Sequence, residues 1–120
     1  MIGVLALVAG LQLAAIDWDA LPPLPYRAPP LVTPDMHNFV TREVRANKCP
    51  SPGAEIRIDV AVLIDDAGGI RTTVPRAIKC PSVEQYAAGL VTGFARNNLL
   101  PRMATGDQWY RTSLTFTLPK

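Results

Sequence analysis

Two tetrapeptides repeat in this chain, Lys48-Cys49-Pro50-Ser51 and Lys79-Cys80-Pro81-Ser82. They hold its two cysteines, the side chains with the widest chemistry on offer: thiolate nucleophile, metal ligand or half of a disulfide. No Cys-x-x-Cys redox pair is present. One histidine and two cysteines do not build a metal site of the usual His/Cys kind without carboxylates. Asp65 and Asp66 are adjacent, which lacks the alternating oxygens of a calcium loop and reads as a turn. Gly68-Gly69 lacks the spacing of a phosphate cradle. The lone His37 leaves any serine nucleophile without a triad, and there is no Gly-x-Ser-x-Gly; His37 reads as a packed or solvated side chain. The chain therefore reads as a non-enzyme, with no catalytic residue, no metal and no cofactor. In an exported protein an even cysteine count favours a Cys49–Cys80 disulfide over two free thiols.

The elements around these residues begin with an apolar stretch. Met1 to Ile16 carries no charge, and its polar side chain is Gln12 alone. About 15 residues is short of the ~20 needed to span a bilayer. The stretch fits a secretory signal cleaved after Ala15, or a short inner-membrane anchor, although no basic residue follows Met1. Residues 16–34 are proline-rich, in a chain with 12 prolines among 120 residues, about twice ordinary usage. The Pro-Pro pairs of Leu21 to Pro34 deny the backbone ladder hydrogen bonds. The stretch therefore reads as an extended linker that could reach roughly 43 Å in polyproline II form, with a stiff tether or a proline-motif ligand as the other reading. Residues 35–120 are the folded domain. Net charge is +2 and charged residues make up 18%, too balanced for a nucleic-acid binder and too apolar overall for disorder.

Within the domain, Thr33-Pro34-Asp35 starts a helix whose apolar stripe is Met36, Phe39, Val40 and Val44, stopping near Asn47. Ile56, Ile58, Val60, Val62 and Ile64 alternate with Arg57 and Asp59, predicting a half-buried strand. Asp65 to Gly69 is turn chemistry, and a second strand over 70–78 places Ile70, Thr72, Val74 and Ile78 inward. Pro75 puts that strand at an edge. Ser82-Val83-Glu84-Gln85 reads as a capping box, with Ser82 at the cap. The following helix has Val83, Tyr86, Ala87, Leu90 and Phe94 inward, while Ala88, Gly89, Gly93 and Ala95 suit close backbone approach. Trp109 to Leu118 alternates again as a third strand.

This order predicts an α+β fold. It is a three-stranded antiparallel sheet in order 2-1-3, a β-β-α-β core preceded by a short helix, both helices on one face and a right-handed crossover to the third strand. With the hairpin centred near Ala67, Cys80 falls opposite Ala54 and Glu55. The segment 50–53 must then fold back to bring the sulfurs together. The third strand is an edge without Pro or Lys, a place for a partner strand to dock. Its backbone, with Trp109, Arg111, Ser113, Thr115 and Thr117 as alternate side chains, is the expected peptide-binding edge. Trp109 is either exposed there or covered by the 99–107 connection.

The motif order resembles the C-terminal domain of TonB-type periplasmic energy transducers. Ile64-Asp65-Asp66-Ala67-Gly68-Gly69-Ile70, the helix start Val83 to Leu90, Leu100-Pro101, Gly106 and Phe116-Thr117-Leu118 follow that family's sequence of elements. The likeness runs from Cys49 to Pro119. It implies a periplasmic protein, linked to energy-dependent transport, whose last strand accepts a short peptide of an outer-membrane receptor or another periplasmic protein. The alternative reading is a structural domain that forms a homodimer through the same edge.

Overall fold

The computed structural model describes residues 16–50, 53–102 and 105–118. The expected signal or anchor, 1–15, lies outside them.

Helix α1 spans Pro34–Ala46 and begins as its sequence dictates. Thr33 Oγ1 accepts from the Met36 amide at 3.3 Å, and Pro34 occupies the first turn, where its missing N–H costs nothing. Strands β1 (Glu55–Ile64), β2 (Ile70–Pro75) and β3 (Gln108–Thr117) form an antiparallel sheet ordered β2-β1-β3. Helix α2 spans Pro81–Ala95 and, with α1, contacts the sheet. The α+β fold and its strand order are as the sequence predicts. Ile56, Ile58, Val60, Val62 and Ile64 are all buried, joined from β3 by Tyr110, Leu114 and Phe116. Val40 and Val44 of α1 and Val83, Ala87, Val91 and Ala95 of α2 close the core.

Four local expectations need correction, three of them in α2. The capping box is absent: α2 starts two residues earlier, at Pro81 rather than Val83, with Cys80 instead of Ser82 at the cap position. Glu84 Oε2 instead accepts from the amides of Cys80, at 2.9 Å, and Ile78, at 3.1 Å. Proline favours the first helical position, and that preference sets the start. The inward stripe of α2 is centred on Val83, Ala87, Val91 and Ala95, with Tyr86, Leu90 and Phe94 at its half-buried border. Gly89 and Gly93 are exposed, so they do not serve close approach.

In β2 the inward phase flips. Leu63 pairs with Thr72 and Ile64 with Ile70, so Arg71 is an extra, unpaired residue. One inserted residue exchanges the two faces of everything beyond it. Thr73, rather than Thr72 or Val74, therefore faces α2, where its hydroxyl lies 3.3 Å from that of Thr92.

The turn between β1 and β2 is built by Asp65. Its Oδ1 accepts from the amides of Ala67 at 3.0 Å and Gly69 at 2.8 Å, while Gly68 takes a positive φ of 83°.

Cys49 and Cys80 are joined in a disulfide with Cα atoms 5.3 Å apart. The approach of the two cysteines is set up at the ends of the helices. Lys48 (φ 51°) and Lys79 (φ 63°) each take a left-handed turn immediately before their cysteine. The Cys49 amide donates to Val44 O, closing the end of α1. Asn47 Nδ2 then reaches Ser82 Oγ at 3.2 Å, so the end of α1 lies beside the start of α2.

Candidate functional site

The predicted docking edge is the outer side of β3. Even-numbered β3 side chains enter the core, and odd-numbered ones stand on the other sheet face. The odd residues also turn their backbone groups away from β1, as the bonds of Arg111 and Thr117 show.

That edge is not open along its length. Arg111 N–H donates to Pro22 O and Leu24 N–H donates to Arg111 O, both at 2.8 Å. The proline-rich segment thus lies parallel to β3 as a single-residue fourth strand, with Pro23 opposite Arg111. Near the strand's end, Thr117 N–H donates to His37 Nδ1 at 2.9 Å, and the His37 ring meets Phe116 edge-on. Between these two occupied positions stand Ser113 and Thr115. The segment that composition marks as a linker is, from Trp18 to Ala28, laid against the domain.

The far side of the segment is held by the loop after α2. Leu100 N–H donates to Pro25 O at 2.8 Å, and Arg27 N–H donates to Asn98 O at 2.6 Å. The Asn98 side chain then pairs with both main-chain groups of Ala28: Oδ1 accepts from its N–H at 2.9 Å and Nδ2 donates to its carbonyl at 2.8 Å. Asn98 Nδ2 also donates to Phe94 O, which fixes the amide against α2. Leu24 is buried within the core cluster. Tyr26 lies over Thr112, whose hydroxyl donates to the phenol oxygen at 3.2 Å. Burial pushes the Tyr26 phenol above its ordinary range, and the Thr112 bond offsets only part of that.

The sheet face opposite the helices carries charge. Ser113 Oγ donates to Asp59 Oδ1 at 2.6 Å, Arg57 Nε reaches the same oxygen at 3.2 Å, and Arg76 approaches Oδ2 at 3.3 Å. Burial would raise the Asp59 carboxyl. The Ser113 bond and the two guanidinium groups outweigh it and hold the carboxyl below the usual range. Arg76 also stacks over the Trp18 ring, 5.4 Å from its centroid, and Arg111 Nη1 donates to Trp18 O at 2.9 Å. A short 3-10 turn, Trp18–Ala20, is thereby anchored on this face.

Of the five side chains expected to read a peptide, Arg111 and Ser113 are therefore engaged internally. Trp109 is half-buried, and Thr115 and Thr117 are exposed. Residues that composition did not single out, namely Leu24, Tyr26, Asn98 and Leu100, form much of the surrounding geometry. Prolines 22, 23 and 25 were the available signal: they stand where no N–H is required, while Leu24, Arg27 and Ala28 each donate one.

A cavity of about 450 Å³ lies at the end of the sheet, lined by Arg27, Asp66, Leu99 and Arg102 among others. Its charged groups hold loops. Arg102 donates to the carbonyls of Ile64 and Gly106, Asp66 accepts from the Gly106 amide, and Arg27 donates to Leu99 O. Among the described residues no group of three or more His, Cys, Asp or Glu is placed to hold a metal ion. No described helix is long and apolar enough to cross a membrane.

Comparison with protein-family models, with curated proteins and with solved structures finds no match.

Proposed function

We propose that this chain is a non-enzymatic periplasmic binding module that takes an extended peptide by strand addition along β3. The reading follows the resemblance to the C-terminal domain of TonB-type transducers. Its partner is then a segment of an outer-membrane receptor or another periplasmic protein, with inner-membrane association supplied by residues 1–15 where they are retained. One observation carries the proposal: Arg111 already exchanges both main-chain bonds with an extended segment, so the outer side of β3 accepts an added strand. The disulfide supports the oxidising compartment.

The test is a titration of the isotope-labelled chain with candidate receptor peptides, read at the backbone amides. Shifts along Trp109 to Thr117 are the expected result. Binding that moves other amides and leaves β3 untouched overturns the proposal. Thr115 points its N–H outward, so Thr115→Pro removes an edge donor without touching the β1–β3 ladder and should abolish binding in a chain that remains folded.

A further inference from the structure

The proline-rich segment meets the domain as a ligand meets its site. It lies in a slot with β3 on one side and Asn98 to Leu100 on the other. The slot grips main chain rather than side chain along most of its length: Arg111 N and O, Leu100 N, Asn98 O and the Asn98 amide take Pro22, Leu24, Pro25, Arg27 and Ala28 in turn. Side-chain contacts are few, and one of them, Arg27 Nη2 donating to Leu99 O at 3.2 Å, is again to main chain. Leu24 fills an apolar hole in the core cluster, and the Tyr26 phenol sits over Thr112. Prolines occupy 22, 23 and 25, while the N–H groups that bond the slot come from Leu24, Arg27 and Ala28. Proline there withholds none of those donors and pre-sets an extended backbone, lowering the ordering cost of occupancy. Beyond Ala28, Pro29 and Leu31 are exposed, and the chain turns away towards α1.

From this we infer that residues 22–28 are a resident pseudo-ligand, and that the slot's external partner is a proline-rich extended segment of another protein. That partner carries two prolines, an aliphatic anchor, a further proline and an aromatic residue, and it binds by displacing the chain's own segment. The inference rests on the strand-addition reading above. It adds the ligand's chemistry and a built-in competitor. Because the resident segment is tethered, it competes at an effective concentration in the millimolar range, on the order expected for a short linker. External peptide is therefore weakened until the resident segment is released.

The experiment uses the full chain and a fluorescent synthetic peptide copying residues 20–28. A protease site is inserted between Pro29 and Leu31, and binding is measured before and after cleavage. A second chain carries Leu24→Asp, which removes the apolar anchor, with amide dispersion recorded to verify that it is folded. Peptide binding at least tenfold tighter after cleavage, with Asn98, Leu100 and Arg111 as the amides that report it, supports the inference. A peptide carrying the Leu-to-Asp change should lose that binding. No gain after cleavage, together with no binding to folded Leu24→Asp chain, overturns it. A doubled mass of the uncleaved chain without peptide also overturns it, because the slot is then closed by a second copy. The two readings fail separately. Receptor peptides that shift Ser113 to Thr117 while the proline peptide binds nowhere sink only the pseudo-ligand. A proline peptide that fills the slot while no receptor-type peptide binds sinks only the transducer-like role.

Discussion

Reduction of the Cys49–Cys80 bridge is the perturbation whose size follows most directly from the structure. The bridge joins residues 31 apart. On the chain-entropy account, closing a loop of that length removes about 12 cal/mol/K from the unfolded ensemble, or about 3.7 kcal/mol at 25 °C. For a domain of this size each kcal/mol moves the melting midpoint by about 4–8 °C, so reduction should lower it by about 15–30 °C. Cys80 is fully buried, so a Cys49→Ala, Cys80→Ala chain also loses packing at that position, at a further cost of about 1 kcal/mol. The reduced wild-type chain keeps both sulfurs and isolates the loop contribution. Thermal unfolding followed by circular dichroism, with and without reductant, gives the comparison, and intact mass verifies the two hydrogens gained. Midpoints within about 3 °C of each other would refute the reasoning, because loop closure would then be contributing well under 1 kcal/mol. A double-alanine chain more stable than the reduced wild type would refute the packing part.

Gly89→Ala and Gly93→Ala should each stabilise the chain by about 0.5–1 kcal/mol, because an added Cβ meets nothing within 4 Å and the unfolded chain loses freedom; urea titration checks this, and destabilisation by either contradicts it. Asp59, held below its ordinary range, contributes stability that is present above the unfolded carboxyl value of about 4 and is lost as pH falls through its folded value. Asp59→Asn should flatten that acid limb of the unfolding profile, and added salt should do so partly, since Arg57 and Arg76 are half or more exposed. Tyr26, raised by burial, behaves oppositely: its contribution is complete below about pH 10 and is lost as pH rises further. Tyr26→Phe should therefore remove the corresponding alkaline destabilisation, measured by unfolding midpoints between pH 9 and 11.

Much of the frame was legible because its signals are local. Alternation in 56–64 and 109–118 needs only neighbouring residues to declare a half-buried strand, and Thr33-Pro34 declares a helix start within one turn. The hairpin at Asp65 was readable for the same reason, since its carboxylate bonds amides two and four residues ahead. Where the reading missed, two local signals competed or a distant partner decided. Ser82 and Pro81 both mark helix starts, and proline prevailed. The single inserted residue at Arg71 inverted the inward face of β2, and alternation alone gave no warning of it.

The candidate site was half visible. The outer side of β3 could be located from strand order, since a 2-1-3 sheet leaves the third strand with one unpaired side. Its occupancy could not. Prolines 22, 23 and 25 read as a bar to ladder hydrogen bonding, yet a segment held at a few positions needs donors to the slot only at Leu24, Arg27 and Ala28. What the linear order of residues determined by itself is therefore the set of elements, their sequence along the chain and the core faces of β1 and β3, while the two cysteines in matching tetrapeptides favoured a bridge without fixing it. What tertiary structure alone decided is where the proline-rich segment goes, which residues grip it and how the sulfurs meet. The physical reason is one of range. Periodicity, caps and turns depend on atoms a few bonds apart, whereas Asn98 finds Ala28 and Arg111 finds Leu24 only after the sheet and both helices have assembled to bring them together.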